Sequence, residues 1–476
     1  MLIRSVSGVR GLVGVDLTPS VVRRYGRAFG RLAWGEILVG WDSRHGGSEL
    51  RDAVAIGLSE SGRGVIDAGI VPTPTIGVGV RLHGFGGGVA VTASHNPEEY
   101  NGLKFFDASG VFLDGEQAAR LFESADQEVP DLRSAGAGET GRRSTSGNGA
   151  TPGSSSAPPW GAAPGDLVGR HIDLILSLPF VDREAVRRAQ PKVVVDCVNA
   201  TGSVILPRLL RLLGCRVVEI STDTTAGFPR GAEPIPANLE QLCRAVVASG
   251  ADAGFACDPD ADRLAIVDET GTAIGEEYTL AIASRVVLTH QRGPVVANVS
   301  TSRMIDDLAG EFGVPIYRTP IGEINVVAKM REVAAVVGGE GNGGVVVPGV
   351  HPGRDAATAA ALIVSGMAAG RSGAVAELRR GFVDYVSVKT KLEPGAVTRD
   401  DIVASMTAAF PDGERDLVDG AKIIWPDRWI HARMSGTEPV VRVIAEASRA
   451  EDAAYLIERA VSALRGGAGG ADECVE

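Results

Sequence analysis

At 476 residues the chain is longer than one hydrophobic core supports, and usual domain sizes imply about three or four domains. The net charge of −12, from 47 Lys+Arg against 59 Asp+Glu, excludes the basic surface that a nucleic acid or an anionic membrane requires, so no nucleic-acid and no membrane partner is expected. Any bound phosphate is then a small one, held locally.

Met1 runs directly into LIRSVSGVRG without signal-peptide character, and no apolar run approaches the length of a membrane span. Five cysteines (Cys197, Cys215, Cys243, Cys257, Cys474) are odd in number and lack paired metal spacing. Neither a disulfide framework nor a zinc site is expected, and a reducing cytoplasm fits. Arg10 reads as part of a turn between Val9 and Gly11, followed by a periodic helix from about Ser20 to Leu32.

Strands and helices then alternate: strand ILVGWD, a helix from Ser48 to Ser61 with Ser48 as its cap, strand GVIDAG, a helix after Pro74, and strand GGVAVTAS. The pattern recurs from Lys192 (VVVDC, VILPRLLRLLG, CRVVEI, NLEQLCRAVVASG, ADAGFACDPDADR) and again from Gly293 (PVVANV, SRMIDDLAGEFG, VPIYRTP, GEINVVAKMREV, AAVVGGEGNGG). Alternation at this length predicts parallel βαβ units with buried sheets, in three copies of one architecture. Each third strand runs into an unusual loop: Ser94, Asp258 to Arg263, and Gly338 to Gly344.

Between the first two copies, about 130–165 is rich in Ser, Gly, Ala and Pro and lacks periodicity, which predicts a flexible insertion without a catalytic role. HIDLILSLPFVDREAVRRAQ then reads as a helix entering the second domain. After about Gly381 the pattern becomes YVSVKTKLEP, a helix near Thr398 to Phe410, the hairpin-like AKIIWPDRWIHARMS, strand VVRVIAEA and a helix from Arg449 to Arg465. The fold class is therefore α/β, with three similar domains of mixed, mainly parallel sheets and a smaller α+β domain around a central cleft. The boundaries fall at 1–165, 166–288, 289–384 and 385–476.

The loops carry the chemistry. TASHNP ends an apolar run at an Asn-Pro pair, which puts Ser94 at the carboxyl end of a strand, where open parallel sheets bind ligands. A serine there can act as a nucleophile, with His95 beside it and Lys104, one of only six lysines, able to supply charge or move a proton. Taken alone, these residues favour an ordinary Asx-type turn with an exposed histidine, and the other loops are what shift the reading towards chemistry.

Asp258, Asp260 and Asp262 alternate, so an extended or gently curled segment aims three carboxylates at one point, a hard-cation site suited to magnesium. A calcium loop with Glu269 at its twelfth position is disfavoured, because Arg263 stands where that loop needs glycine. RMSGTEP offers Arg433, Ser435, the loosened backbone at Gly436, and Thr437 to an anion, with Arg442 on the next strand. In GGEGNGG, Glu340 and Asn342 suit sugar hydroxyls, and a plain flexible turn reads equally from this loop alone. A nucleophile, a metal site, a hydroxyl-binding loop and a phosphate-binding loop together suit phosphoryl transfer on a small phosphorylated sugar.

These motifs resemble those of the α-D-phosphohexomutase family, over nearly the whole chain outside 130–165. TASHNP with NGLKFF is similar to its phosphoserine loop, DPDADR to its magnesium loop, GEGNG to its sugar loop and RMSGTEP to its phosphate loop. The resemblance implies an isomerase that passes a phosphoryl group from Ser94 to a hexose phosphate and back through a bisphosphate. It assigns Ser94, Lys104, Arg10 and His95 to catalysis, and Ser94 with the three aspartates to Mg2+. Arg263, Glu340, Asn342, Arg433, Ser435, Gly436, Thr437 and Arg442 are assigned to substrate. Many members have Ser and His where this chain has Asn342 and Gly344. The GEGNGG form is similar to archaeal-type enzymes and points to glucosamine phosphate, with mannose or glucose phosphate as the alternative. A sugar phosphatase or a non-catalytic sugar-phosphate sensor is the rival reading, and the oligomeric state stays open.

Overall fold

A computed structural model describes residues 2–127, 160–370, 373–393, 397–436 and 440–466. Three sheets share one four-strand unit, in which a central strand is flanked on one side by its successor and on the other by a third strand. A fourth strand then doubles back antiparallel on the third. In the first copy the centre is Glu36–Trp41, flanked by Gly64–Ile70 and Gly87–Val91, with Tyr100–Phe106 returning. In the second, Lys192–Asp196 lies between Arg216–Ile220 and Ala253–Cys257, with Leu264–Asp268 returning. In the third, Val295–Asn298 lies between Ile316–Thr319 and Val337–Glu340, with Gly344–Val347 returning. The third strand of every copy therefore hairpins at its carboxyl end, and all three unusual loops are those hairpins.

The central strands are runs of Val, Ile and Leu, buried on both faces because helices cover both sides. One apolar core runs through all three units and includes Leu38, Val193 and Val295. The helix Ala356–Ala369 is apolar all round and buried within that core, its amino end capped by the Asp355 side chain on Ala357 N at 2.9 Å. The fourth sheet is wholly antiparallel, ordered Val386–Leu392, Val441–Ala447, Arg428–Met434, Ala421–Trp425 and Glu414–Asp416, over a core of its own.

Four local expectations are corrected. Arg10 lies in the strand Gly8–Leu12, opposite Gly102, not in a turn. The turn comes earlier, at Val6 and Ser7, and the strand opens on Gly8 (φ 113), where a Cβ would meet Leu103 O at 2.0 Å. The second helix is Gly47–Glu60 and its cap is Gly46, with Ser48 inside its first turn. HIDLILSLPFVDREAVRRAQ contributes to two helices, Leu167–Leu176 and Arg183–Ala189, separated around Pro179, which has no N–H to continue a helical ladder. Of the expected flexible insertion, Gly161–Ala162 forms an edge strand parallel to Gly64–Ile70, and Trp160 packs on the first core; 130–159 lies outside the described residues.

Candidate active site

The buried strand Gly87–Val91 leaves the sheet at Thr92, and Ser94 follows at φ 50, in the left-handed region, 1% exposed. Such a conformation costs a serine about 1–3 kcal/mol and persists only where its surroundings hold it. Here Ser94 N donates to Thr92 Oγ1 (2.9 Å) and Arg44 Nη2 donates to Ser94 O (2.6 Å). Ser94 Oγ donates to Asp258 Oδ2 at 2.7 Å, joining the first and second units. His95 Nδ1 is 3.5 Å from the same Oγ. Burial, then Arg263 and Arg10, push the imidazole well below its ordinary pKa, so the ring is neutral. Arg10 Nη1 donates to Asn96 Oδ1 at 3.3 Å; burial lowers its guanidinium to about 10, still cationic at neutral pH.

Asp258 to Asp262 form a tight turn, not an extended segment. Ala261 takes φ 54, its N–H donates to Asp258 O at 3.0 Å, and Asp258 Oδ1 accepts from Asp262 N and Arg263 N at 3.1 Å each. One oxygen from each of Asp258, Asp260 and Asp262 lies within 4.8 Å of the others. Lys104 Nζ donates to Asp260 Oδ2 (2.6 Å) and Asp262 Oδ2 (2.9 Å). Asp260 Oδ1 and Asp262 Oδ1 are buried without a hydrogen-bond partner. A buried anionic oxygen without a partner is costly, and two beside a third carboxylate fit a hard, oxygen-liganded divalent cation.

Burial, then the charges of Asp262 and Asp260, push the Asp258 carboxyl well above its usual pKa. Burial acts the same way on Asp262, but Arg354 and Lys104 outweigh it and hold that carboxyl far below. Burial pulls the Lys104 ammonium down, and Asp260 with Asp262 more than restore it, so Lys104 is a fixed cation. The turn is tied to both neighbouring units. Thr73 bonds Asp260 O through N (3.0 Å) and Asp260 Oδ2 through Oγ1 (2.6 Å), Leu264 N donates to Gly343 O (3.0 Å), and Ala356 N donates to Ala261 O (3.1 Å).

Glu340 ends the strand Val337–Glu340 inside a ring of donors. Asn298 Nδ2 (2.8 Å) and Gly322 N (3.0 Å) reach Oε1, while Arg354 Nη1 (2.8 Å) and Asn342 Nδ2 (3.5 Å) reach Oε2. Burial raises its pKa, but Arg354 and Asn298 outweigh that and Glu340 stays ionised. Arg263 Nη1 lies 3.2 Å from Glu233 Oε1.

On the fourth sheet Arg433 and Arg442 are cross-strand neighbours, and Ser435 N donates to Val440 O at 2.8 Å. Gly436 is exposed, and Thr437 lies outside the described residues. Arg433 Nη1 is 3.9 Å from Asp419 Oδ2, which accepts from Ile321 N at 3.0 Å. Ser94, His95, Lys104, Arg10 and the three aspartates thus form one cluster, Glu340 and Asn342 join it through Arg354, and the loop after Arg433 meets the third unit through Asp419.

Sequence reasoning passed over Arg44, Arg354 and Asp419. The first two follow or end buried strands as DSR and GRD. A charged residue at such an end was the available signal.

Four family descriptions match in order. Phosphoglucomutase/phosphomannomutase alpha/beta/alpha domain I covers residues 1–130, domain II 170–271, domain III 275–385, and the C-terminal domain 386–463. A phosphoglucomutase/phosphomannomutase of Thermococcus kodakarensis is 36% identical over 96% of this chain and 97% of its own. A probable phosphoglucosamine mutase of Methanopyrus kandleri is 35% identical over the same shares. A solved structure of a phosphoglucomutase/phosphomannomutase family protein from Burkholderia thailandensis superposes with a TM-score of 0.79 at 28% identity, covering 99% of each chain. The order of the four domains, the identities and the shared fold make the chain a member of the phosphoglucomutase/phosphomannomutase family of phosphohexomutases.

Proposed function

We propose that this enzyme interconverts the 1-phosphate and 6-phosphate of a hexose through a phosphorylated Ser94 and a bisphosphate intermediate, with glucosamine phosphate preferred, in a reducing cytoplasm. The observation that carries the reading is the 2.7 Å contact of Ser94 Oγ with Asp258 Oδ2, at a buried turn of three carboxylates braced by Lys104. The phosphoryl group leaves Ser94 Oγ for the free hydroxyl of a hexose monophosphate. The bisphosphate turns end for end and returns its other phosphate to Ser94.

Lys104 and Arg10 present fixed positive charge beside Ser94 throughout, and neutral His95 adds a polar ring without a competing charge. Arg433, Ser435 and Arg442 grip the phosphate that is not reacting, and Asn342 meets the sugar hydroxyls. Magnesium held by Asp258, Asp260 and Asp262 would neutralise phosphoryl oxygens at Ser94 Oγ. Glucosamine is favoured by the GEGNGG loop and by a relative, 35% identical, named a probable phosphoglucosamine mutase; a relative 36% identical carries the phosphoglucomutase/phosphomannomutase name. The cytoplasmic setting is supported by four cysteines without disulfides among the described residues.

The test is turnover of glucosamine, glucose and mannose phosphates by purified protein with Mg2+, beside intact-mass measurement of a labile phosphate. Turnover and the phosphate should vanish together in Ser94→Ala while the fold survives. Full activity in Ser94→Ala would sink the mechanism, and a higher kcat/KM on another hexose phosphate would move the preference.

A further inference from the structure

Asp42 directly follows the central strand Glu36–Trp41, and Thr92 follows Gly87–Val91, its parallel neighbour, in a register that pairs Trp41 with Val91. One step beyond the ladder these two side chains meet. Asp42 Oδ2 accepts from Thr92 Oγ1 at 2.6 Å and from Arg44 Nε at 2.8 Å. Thr92 Oγ1, its proton directed at Asp42, accepts from Ser94 N at 2.9 Å, while Arg44 Nη2 donates to Ser94 O at 2.6 Å. Both backbone polar groups of Ser94 are therefore held by two arms rooted on a single carboxylate oxygen. Arg44 Nη1 closes the loop further on, at Tyr100 O (2.7 Å). Asp42, Arg44 and Thr92 are each 1% exposed, and none of them hydrogen-bonds to Asp258, Asp260 or Asp262.

We propose that Asp42, Arg44 and Thr92 are positioning residues that hold Ser94 in its left-handed conformation and so aim Oγ for phosphoryl transfer; this rests on the reading of Ser94 as the phosphoryl carrier. A serine at φ 50 relaxes unless both sides of its backbone are held, and relaxation swings Oγ away from Asp258. A displacement of about 1 Å at a reacting atom lowers turnover by about 10²-fold. Stability alone does not account for the pair, because a buried ion pair offers little over an apolar pair of the same volume.

The arrangement also recurs. Asp196 ends the central strand of the second unit and accepts from Arg230 Nε at 2.9 Å, and Arg230 Nη2 donates to Cys257 O at 2.8 Å, the carbonyl just before Asp258. Asn298 ends the central strand of the third unit and donates to Glu340 at 2.8 Å. In each unit a polar side chain at the end of the central strand orders the functional loop next door.

The experiment compares Thr92→Val, which deletes the hydroxyl at nearly constant volume, with Thr92→Ser, which keeps it, in the full-length enzyme. Hydrogen exchange of the peptide containing Ser94 and steady-state kinetics with Mg2+ and hexose phosphate are the readouts, with thermal melting confirming that each variant is folded at the assay temperature. Thr92→Val should speed exchange at the Ser94 amide and lower kcat by about 10²-fold with KM within about twofold, and Thr92→Ser should restore both. Unchanged exchange in Thr92→Val overturns the bracket whatever the enzyme acts on. Faster exchange with unchanged kcat, or a kcat loss that Thr92→Ser does not restore, overturns the positioning role. A wild type without mutase turnover would count against the proposed function, and the exchange comparison would still decide the bracket.

Discussion

Arg354 Nη2 donates to Asp262 Oδ2 at 2.8 Å, so the guanidinium that also holds Glu340 ties the third aspartate of the Asp258–Asp262 turn to the GEGNGG loop. Its Nε reaches Glu323 at 3.1 Å, which makes Arg354 the common cation of three carboxylates, with its side chain 10% exposed. Burial alone would lower its pKa, and Asp262, Glu323 and Glu340 raise it well above the ordinary value. The GEGNGG loop and the aspartate turn are one electrostatic unit.

Arg354→Ala should lower unfolding stability by about 3–5 kcal/mol, because it strands buried carboxylates, while Arg354→Lys should lose less by keeping the charge without the fork. Denaturant titration of both variants measures this. A loss below about 1 kcal/mol in Arg354→Ala would mean that the carboxylates find other partners.

Divalent metal should stabilise the fold, because it relieves Asp260 Oδ1 and Asp262 Oδ1. Magnesium at a hundred times its dissociation constant should add about 2.7 kcal/mol to the unfolding free energy. Calorimetry with magnesium and then with chelator should show the gain in wild type and its loss in Asp260→Asn/Asp262→Asn. A gain that survives in the double variant would place the ion elsewhere.

Arg433 should act in binding more than in chemistry, since a phosphate remote from Ser94 keeps its charge from ground state to transition state. Charge-assisted bonds of about 1.5–3 kcal/mol imply a KM raised by roughly one to two powers of ten in Arg433→Ala, with a smaller fall in kcat. Added hexose bisphosphate should restore part of the flux by returning escaped intermediate. An unchanged KM with reduced kcat would remove Arg433 from the remote phosphate.

Lys422 gives the joint between the third and fourth sheets a pH dependence. Its Nζ donates to Val299 O at 2.6 Å, 4.2 Å from the centroid of the Trp429 ring, and burial followed by Arg318 lowers it to about 7. Unfolded, the same amine titrates near the ordinary lysine value of 10.5. The unfolded chain therefore binds more protons between those values, so this group's contribution is present above 10.5 and is lost as pH falls through 7. Between pH 7 and 10 the stability of wild type should rise relative to Lys422→Met by an amount on the order of 2–4 kcal/mol. Parallel curves for the two proteins would show that Lys422 titrates normally.

What the residues announce by themselves is the architecture and the loops. Strands such as ILVGW and VVVD are apolar without alternation, and the helices between them are periodic, so three βαβ copies follow from local pattern alone. The turn at Asp258 was legible as a convergence of carboxylates but not as a left-handed turn at Ala261, because alanine carries no signal for positive φ. Arg44 and Arg354 were opaque for a different reason. Beyond the nearby Asp42, Arg44 reaches the Ser94 carbonyl fifty residues on, and Arg354 reaches Asp262, Glu323 and Glu340; an arginine after a strand looks the same whether it points to water or to groups far along the chain.

The bond from Ala356 N to Ala261 O has a consequence for the order of events in biosynthesis. Chains emerge amino end first, at about 5–20 residues per second, and early domains fold while later ones are still being made. The turn bearing Asp258, Asp260 and Asp262 gains its bonds to the third unit only once Arg354 and Ala356 have been made. A chain that ends before that point can hold the strands that carry Ser94 and still lack the two bonds that Arg354 and Ala356 make to the aspartate turn.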